Sequence, residues 1–349
     1  MSSSSWFAPE REAHCRAWLA TLPLALRPDT LEPAAADASA RRYWRVQGAQ
    51  GSFIVMDAPP AHNRLEPFLD VQQRLLAAGG HAPACHAQDL AQGFLLLEDL
   101  GRSTYLPLLQ QAQAAAAGDA DALMRAAIAT LVQLQAKVDD SGLPPYDEAL
   151  IRRELELFPE WCVRQEFGQT WTTQQQKYWD AVCQALVGAF ATQPQGFVYR
   201  DYMPRNLMQP AQAGGAPGLL DFQDALQGPA GYDIASLLRD AFISWDEEQE
   251  LDWAVRYWEQ ARKAGIPWDA DFGECWRAIE WCALQRHLKI LGLFCRLKIR
   301  DGKPAYAQDL PRFLAYATKT AARYRELKPL LPLLEALRPG LTATDFTLR

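Results

Sequence analysis

Three side chains that carry oxygen donors, Asp201, Asn206 and Asp221, have the spacing that phosphoryl transfer requires. The apolar run 197–199 comes just before Asp201, Asn206 follows five positions later, and a second apolar run, 218–220, leads into Asp221. Phosphoryl transfer needs a carboxylate that orients the attacking hydroxyl, and an amide with a second carboxylate can hold Mg²⁺ on nucleotide phosphates. We therefore predict Asp201 as the catalytic base, and Asn206 and Asp221 as metal ligands.

The elements that must position these side chains are two short strands, the loops that follow them, and a helix. The two apolar runs predict the strands. The helix opens within 228–236, where we predict that Asp233 braces the catalytic loop. Helical periodicity also marks four longer stretches, 121–137, 148–167, 172–191 and the tryptophan-rich 246–337. The catalytic loop is therefore expected in a mainly helical region.

The first hundred residues have a different, strand-rich pattern. Residues 9–22 predict an amphipathic helix, and 65–79 predict a second helix that ends on a glycine. Between them, the β-rich runs 37–46 and 52–60 flank a glycine-containing turn and predict a hairpin. The apolar run 93–97, which two acidic residues and a glycine terminate, predicts a buried strand.

Composition limits the classes of partner. The 349 residues are 49% hydrophobic and carry a net charge of -7 with no long basic run, so we expect neither nucleic acid nor an anionic membrane as partner. The seven cysteines are odd in number and lack Cys-x-x-Cys spacing, which indicates free thiols in a reducing compartment. We also find no export signal and no apolar run long enough to span a membrane. We expect a cytoplasmic protein that binds a small molecule and needs no obligate protein partner.

The catalytic loop resembles that of protein kinases and, more closely, that of the aminoglycoside phosphotransferase-like kinases, whose pattern is His-x-Asp-x-x-x-x-Asn followed by Ile-Asp-Phe/Trp. The resemblance implies an α+β, bilobal protein-kinase-like fold. A small β-rich N-lobe, residues 1–100, would carry the nucleotide-phosphate hairpin and the hinge. A larger, mainly helical C-lobe, residues 101–349, would carry the catalytic loop and the substrate pocket. ATP and Mg²⁺ are the implied cofactors.

Two positions depart from the family pattern. Met56 stands where a lysine normally binds the α- and β-phosphates, and Tyr199 stands where the loop usually begins with histidine. The missing cation calls for a substitute nearby, and strand alternation can direct one or two arginines under the hairpin. We predict that Arg41, Arg42 or Arg45 supplies it.

Further roles follow from the same resemblance. The backbone at Glu98, Asp99 and Leu100 fits the hinge, where adenine would form hydrogen bonds. Arg200 and Arg205 flank the base and the asparagine. Either arginine could neutralise the transferring phosphate or an anionic substrate, or could form an ion pair that stabilises the fold.

Several stretches resemble a narrower group, the bacterial anomeric kinases that act on N-acetylmuramate and N-acetylglucosamine and in which methionine also replaces the lysine. These stretches are 37–45, 54–60, 93–101, 221–225 and 285–292. The resemblance implies phosphorylation of the anomeric hydroxyl to the sugar 1-phosphate in peptidoglycan recycling. Asp224 would contact a second metal or a sugar hydroxyl. The cations proposed for the lactyl carboxylate of N-acetylmuramate are Arg205, Arg239, Arg286 and Lys289.

Two alternatives stay open. One is a kinase of another small alcohol, such as an aminoglycoside or a choline-like compound, although the basic group at Arg286 and Lys289 argues against a cationic substrate. The other is a pseudokinase module that binds nucleotide without turnover, for which Met56 and Tyr199 argue. The presence of the complete set of catalytic oxygen donors argues against it.

Overall fold

The computed structural model describes residues 10–35, 41–115, 119–212 and 214–337. The chain divides into two compact units, Met1–Thr130 with Arg205–Asp224 and Leu131–Pro204 with Ala225–Arg349. The predicted division into an N-lobe that binds nucleotide, residues 1–100, and a C-lobe that binds substrate, residues 101–349, stays a prediction. The start of the predicted hairpin, residues 37–40, lies outside the described residues.

An antiparallel sheet of five strands, ordered β1-β2-β3-β5-β4, forms the centre of the first unit. The strands are β1 Leu26–Ala35, β2 Arg42–Gly48, β3 Gly51–Asp57, β4 Cys85–Asp89 and β5 Phe94–Glu98. The predicted hairpin is confirmed, because β2 and β3 pair with Gly48 opposite Gly51 across a two-residue turn. Met56 lies on the central strand, fully buried between Tyr43 and Leu95 of the neighbouring strands.

Three helices and a small ribbon complete the first unit. The helices are α1 Glu10–Thr21, α2 Glu66–Ala77 and α3 Tyr105–Ala114, and the ribbon strands are β7 Leu207–Met208 and β8 Gly218–Leu219. The predicted first helix packs its apolar face on the sheet, where the ring of Trp18 stacks on that of Phe94 at 5.5 Å. Burial of this face explains why the apolar positions of residues 9–22 recur with helical spacing.

The second unit is mainly helical. Its elements are α5 Glu148–Leu155, a π-helical segment Phe158–Glu166, α6 Thr173–Thr192, β6 Gln195–Val198, β9 Leu226–Pro229, α7 Gly231–Leu238, α8 Glu247–Lys263, α9 Phe272–Ile299, α10 Leu310–Arg323 and α11 Leu331–Glu335. Helix α4, Asp119–Lys137, precedes them, and short 3₁₀ turns occur at Pro204–Asn206, Pro304–Asp309 and Arg325–Leu330. The predicted helices are present, with the π-helical segment inside predicted helix 148–167.

Helix α9 is the central element of this unit. Most of its 28 residues are buried, and it packs against the π-helical segment, α7 and α10. Its buried residues include polar and charged side chains as well as apolar ones, so other side chains of the interior must pair with them. None of the helices within the described ranges has both the length and the apolar character that a membrane crossing requires.

Candidate active site

The segment that carries Asp201 begins at the end of a two-stranded sheet. Strand β6 pairs antiparallel with β9, placing Val198 opposite Leu226. Val198 and Tyr199 are fully buried, whereas Asp201 is half-buried. The strand thus holds the start of the loop in the interior, and the aspartate two residues later reaches the surface.

Asp233, on α7, binds the backbone of this loop. Its Oδ2 accepts a hydrogen bond from the Tyr199 N–H at 2.6 Å, and its Oδ1 accepts one from the Arg200 N–H at 2.9 Å. Burial raises the pKa of Asp233 to about 7; the negative charge of Asp201 adds to this shift, while the two N–H donors oppose it. These contacts match the bracing role predicted from the sequence.

Backbone strain is concentrated at two candidate site positions. Among the residues that the structure describes, the non-glycine residues with positive φ are Arg200, at 79°, and Asp221, at 64°. The left-handed conformation costs an L-residue about 1–2 kcal/mol. Strain of this kind persists where surrounding contacts impose it, and it clusters at functional sites. One strained residue precedes the predicted base, and the other is the predicted metal ligand.

The ribbon of β7 and β8 places Asn206 and Asp221 at the same end. Leu207 lies opposite Leu219, and the Leu220 N–H donates to the backbone carbonyl of Asn206 at 2.9 Å. Asn206 comes just before the first strand and Asp221 just after the second, so antiparallel pairing brings the two residues together. Asn206 is 7% exposed, and Asp221 is exposed.

The donor set of this end of the ribbon fits Mg²⁺. The side chains offer a carboxylate and an amide oxygen, and Mg²⁺ in nucleotide enzymes is commonly bound by one or two such groups together with waters and substrate phosphates. Within the described ranges, no cluster of three or more histidine, cysteine, aspartate and glutamate side chains is placed to hold a metal ion. One carboxylate and one amide oxygen are a donor set that suits a cation shared with nucleotide phosphates.

Phe222 anchors the segment that contains the two aspartates. Its ring is fully buried and stacks on that of Phe68 of α2, with centroids 4.7 Å apart. Asp224, the predicted second contact to metal or sugar, is exposed three positions beyond Asp221. The Nε2 of Gln223 donates to Asp221 Oδ1 at 2.8 Å. The aromatic anchor therefore holds a short acidic segment at the surface.

Two of the three arginines predicted to replace the missing lysine form ion pairs with aspartates. Arg42 Nη2 lies 2.7 Å from Asp57 Oδ2. Arg45, 5% exposed, makes a bidentate pair with Asp99 at 2.5 and 2.9 Å. Arg41 is half-buried. Asp99 thus balances the charge of Arg45, whereas Arg42 shares the single charge of Asp57 with Arg11. A direct phosphate contact for any of the three arginines stays a prediction.

The predicted hinge residues are held by side chains from the sheet. Asp99 accepts from Ser52 Oγ at 2.6 Å and from the Gly101 N–H at 3.0 Å, in addition to Arg45. Burial alone would raise the pKa of Asp99, but the hydrogen bonds from Arg45 and Ser52 lower it below its ordinary value. Asp99 is thus ionised and held in place by its partners.

The flanking hinge residues also make specific contacts. Glu98 lies 3.0 Å from His81 Nε2 and accepts from the Ala84 N–H at 3.1 Å. Leu100 packs so closely on Gly218 that a Cβ there would lie 2.8 Å from the Leu100 side chain. A side chain at the start of β8 would therefore require the end of the Leu100 side chain to move.

Two cations predicted to bind a substrate carboxylate are deeply buried. Arg239, 3% exposed, forms ion pairs with Glu250 at 3.0 Å and Glu280 at 2.9 Å. Arg286, also 3% exposed, has its Nη2 3.9 Å from Met203 Sδ. These contacts favour a structural role for Arg239 and place Arg286 beside the catalytic loop.

The other two cations predicted to bind the substrate carboxylate, Lys289 and Arg205, are less buried. Lys289 forms an ion pair with Glu154 at 2.7 Å, and its side chain is 16% exposed. Arg205 is half-buried in the 3₁₀ turn Pro204–Asn206, directly before a predicted metal ligand. Arg205 is therefore the cation of this group that lies nearest along the chain to the predicted chemistry.

Glu154 was not singled out in the sequence, although it contacts the loop. It is 5% exposed on α5, on the helix face that also buries Leu150 and Ile151. Burial alone would raise its pKa, but the positive charge of Lys289, hydrogen bonds and the charge of Arg200 lower the pKa to about 2. The feature of the sequence that could have identified Glu154 is an acidic residue at a core-facing position of an amphipathic helix.

Fold and site together define a kinase-type phosphotransferase. The sequence profile of the phosphotransferase enzyme family matches residues 30–270, so the chain belongs to this family and is an enzyme that transfers phosphoryl groups. Solved structures support the fold. An ADP-bound aminoglycoside phosphotransferase superposes with a TM-score of 0.56 at 12% identity, covering 90% of this chain and 99% of its own. A choline kinase from Streptococcus pneumoniae gives 0.58 at 11% identity, covering 88% and 99%.

Much closer relatives share most of the sequence. An N-acetylmuramate/N-acetylglucosamine kinase of Pseudomonas putida is 47% identical over 314 residues, which is 90% of this chain and 90% of the relative. The kinase of the same name from Neisseria meningitidis is 44% identical over 340 residues, covering 95% and 99%. The bilobal kinase-like fold and the kinase class predicted from the catalytic loop are thereby confirmed.

Proposed function

We propose that the protein uses ATP and Mg²⁺ to phosphorylate the anomeric hydroxyl of N-acetylmuramic acid and N-acetylglucosamine, giving the sugar 1-phosphates. The observation that carries the proposal is the identity of 44–47% with kinases named for these two sugars, over at least 90% of the chain. The proposed setting is the recycling of peptidoglycan sugars in the cytoplasm. The exposed or half-buried positions of Asp201 and Asp221 are compatible with access by a small molecule.

Asp201 is the proposed base. It would accept the proton of the C1 hydroxyl as the hydroxyl oxygen bonds to the γ-phosphorus and the bond to the ADP oxygen breaks. An anomeric hydroxyl is more acidic than an ordinary alcohol, so a carboxylate of ordinary basicity suffices. The hydrogen bonds from Tyr199 and Arg200 to Asp233 would keep the loop backbone, and with it the base, in one orientation.

Asn206 and Asp221 are the proposed ligands of Mg²⁺. When bound, the ion would screen the charge of the phosphates and align them for transfer. The ribbon geometry supports this assignment, because the Leu220–Asn206 backbone hydrogen bond ties the two ligand-bearing segments together. Asp224 is proposed to contact a sugar hydroxyl or a second ion from the same segment.

Arg205 is the proposed partner of the lactyl carboxylate, which N-acetylmuramic acid has and N-acetylglucosamine lacks. Its half-buried position beside Asn206 supports this choice over the fully paired Arg239. Replacing Arg205 with alanine should raise KM for N-acetylmuramic acid about tenfold or more, since a charge-assisted contact contributes about 1.5–3 kcal/mol. KM for N-acetylglucosamine should stay the same. An equal loss with both sugars would assign Arg205 to phosphate transfer instead.

An ADP-release assay tests the proposed substrate class. The protein would be incubated with ATP, Mg²⁺ and, separately, N-acetylmuramic acid, N-acetylglucosamine, choline and an aminoglycoside, with Asp201→Asn as the control. Turnover with the two amino sugars that the control abolishes supports the proposal. Turnover only with choline or the aminoglycoside would show that the substrate is another small alcohol. Nucleotide binding without any turnover would indicate a pseudokinase.

A further inference from the structure

The guanidinium of Arg200 is tied to a buried carboxylate on another helix. Arg200 Nη2 donates to Glu154 Oε1 at 2.8 Å, and the Arg200 side chain is 24% exposed. Arg200 is also the residue that adopts a strained left-handed conformation immediately before Asp201. Asp233 binds only the backbone of this residue, so the contact with Glu154 is a second, independent restraint on the same peptide.

Both carboxylate oxygens of Glu154 accept hydrogen bonds from several side chains. Besides Arg200, its Oε1 accepts from Lys289 Nζ at 2.7 Å, and its Oε2 accepts from Tyr146 OH at 2.5 Å and Gln285 Nε2 at 3.0 Å. Only a carboxylate can satisfy four donors with two oxygens, because an amide would direct N–H groups at other donors. The four partners and Glu154 form what we name the Glu154 cluster.

The cluster connects two helices of the second unit, and the segment before α5, to the loop. Glu154 comes from α5, Gln285 and Lys289 come from α9, and Tyr146 precedes α5. A cluster buried among helices has little freedom to move, since close-packed interiors resist displacement. The strained peptide at Arg200 is therefore fixed to the most buried part of the unit by its side chain as well as by its backbone.

We propose that Glu154 is a positioning residue for phosphoryl transfer: through its ion pair with Arg200 it holds the strained Arg200–Asp201 peptide so that the Asp201 carboxylate faces the attacking hydroxyl. Lys289 has a supporting role, since its ion pair with the same carboxylate helps to keep Glu154 ionised and in place beside Arg200. The inference rests on the proposed role of Asp201 as base. It gives Lys289 a function in the loop support in place of the substrate contact predicted from the sequence.

A competing explanation is that Arg200 acts directly on the transferring phosphate. The two explanations predict opposite effects of Glu154→Gln. This variant keeps the Arg200 charge but removes its carboxylate partner. If Arg200 serves the phosphate, releasing it should leave kcat unchanged or raise it. If the ion pair positions Asp201, kcat should fall by about ten- to a hundredfold, as expected when a catalytic group moves by about 1 Å, while KM for ATP and sugar changes little.

Glu280→Gln provides a matched control for simple destabilisation. Glu280 is also a buried helical glutamate, which binds Arg239, Arg323 and Tyr324 OH. Both variants should lower the melting temperature, because each leaves buried donors without a carboxylate. Only Glu154→Gln should lower the kcat of the folded protein, which is measured below the melting temperature of both variants and normalised to the folded fraction.

Three further variants test whether Glu154 acts through its ion pair with Arg200. Arg200→Gly removes the ion pair and the left-handed strain together, and the double variant with Glu154→Gln should lose no more kcat than either single variant, because both act through one contact. Glu154→Asp, which keeps the charge, should recover part of the loss.

Failure of the positioning role of Glu154 can be distinguished from failure of the proposed function. A wild-type protein that phosphorylates neither sugar would reject the proposed function and remove the basis of the inference. An active wild type whose Glu154→Gln variant keeps kcat within twofold, or loses it only in proportion to Glu280→Gln, would overturn the positioning role. Independent, multiplying losses in the double variant would also overturn it.

Discussion

Replacing Gly292 with alanine should destabilise the protein, although the same change usually stabilises a helix. Glycine in a helix interior loses more backbone entropy on folding than alanine does, so substitution normally gains about 1 kcal/mol. At Gly292, however, a Cβ would lie 2.1 Å from the carbonyl oxygen of Leu157 and 2.6 Å from the backbone nitrogen of Phe158. Both atoms are backbone, so no side-chain rotation can relieve the contact.

The size of the effect follows from this distance. An ordinary contact would require α9 and the chain at Leu157 to separate by about 1 Å or more, and overpacking of a well-packed core costs about 1–3 kcal/mol. Because the contact is with backbone atoms, we place the steric cost in the upper part of this range, at about 2–3 kcal/mol. Subtracting the gain of about 1 kcal/mol in helix propensity leaves a net loss of about 1–2 kcal/mol in the free energy of unfolding. Lys289 lies one turn away on α9, so kcat should fall as well.

Urea unfolding of Gly292→Ala and of the matched control Gly188→Ala measures this directly. Gly188 is an exposed residue of α6, and a Cβ there would meet no atom within 4 Å. The control should be more stable than wild type by about 0.5–1 kcal/mol. If Gly292→Ala gained as much stability as the control, the close packing of α9 on the π-helical segment would be wrong.

Three further predictions concern the site. Asp201→Asn should lower kcat by about 10²–10⁴-fold, the usual contribution of a general base, with little change in nucleotide affinity measured by calorimetry; unchanged turnover would exclude Asp201 as the base. Asp221→Asn should raise the Mg²⁺ concentration needed for half-maximal activity, whereas an unaltered Mg²⁺ titration would remove Asp221 from the metal site. The lowered pKa of Glu154 makes its contribution to stability fully present above pH 4.5 and lost as the pH falls towards 2. Between pH 5 and 3.5, wild type should therefore lose on the order of 1 kcal/mol more unfolding free energy than Glu154→Gln, and equal losses would show that Glu154 is not ionised with a lowered pKa.

Elements with a regular apolar pattern were predictable from the sequence. The hairpin of β2 and β3 and the helices of the second unit have such patterns. Strand β1 was not predicted, because prolines at 28 and 33 interrupt its pattern. The structure tolerates them because β1 lies at the sheet edge and its pairing with β2 contains two register shifts. The π-helical segment was also not predicted; it packs against α9, which lies more than a hundred residues further along the chain.

The candidate site was predictable where it depends on spacing along the chain. The spacing of strands and loops predicted Asp201, Asn206 and Asp221, and the structure brings Asn206 and Asp221 to the same end of the ribbon. Their catalytic roles stay a prediction. The ion pairs of the arginines were not predictable, because they depend on partners that are distant along the chain. Arg45 is paired with Asp99, and Arg239 is paired with Glu280. A sequence shows that an arginine is near a motif, but it does not show which carboxylate already neutralises it.

The most direct test of the proposed function is the position of the phosphate in the product. ³¹P and ¹H NMR of a reaction with ATP, Mg²⁺ and N-acetylglucosamine or N-acetylmuramic acid would locate it. We predict a phosphate signal coupled to the anomeric proton, together with loss of the reducing end, and neither change with Asp201→Asn. A phosphate on another carbon of the sugar, or a reducing end that persists while ADP accumulates, would contradict an anomeric kinase.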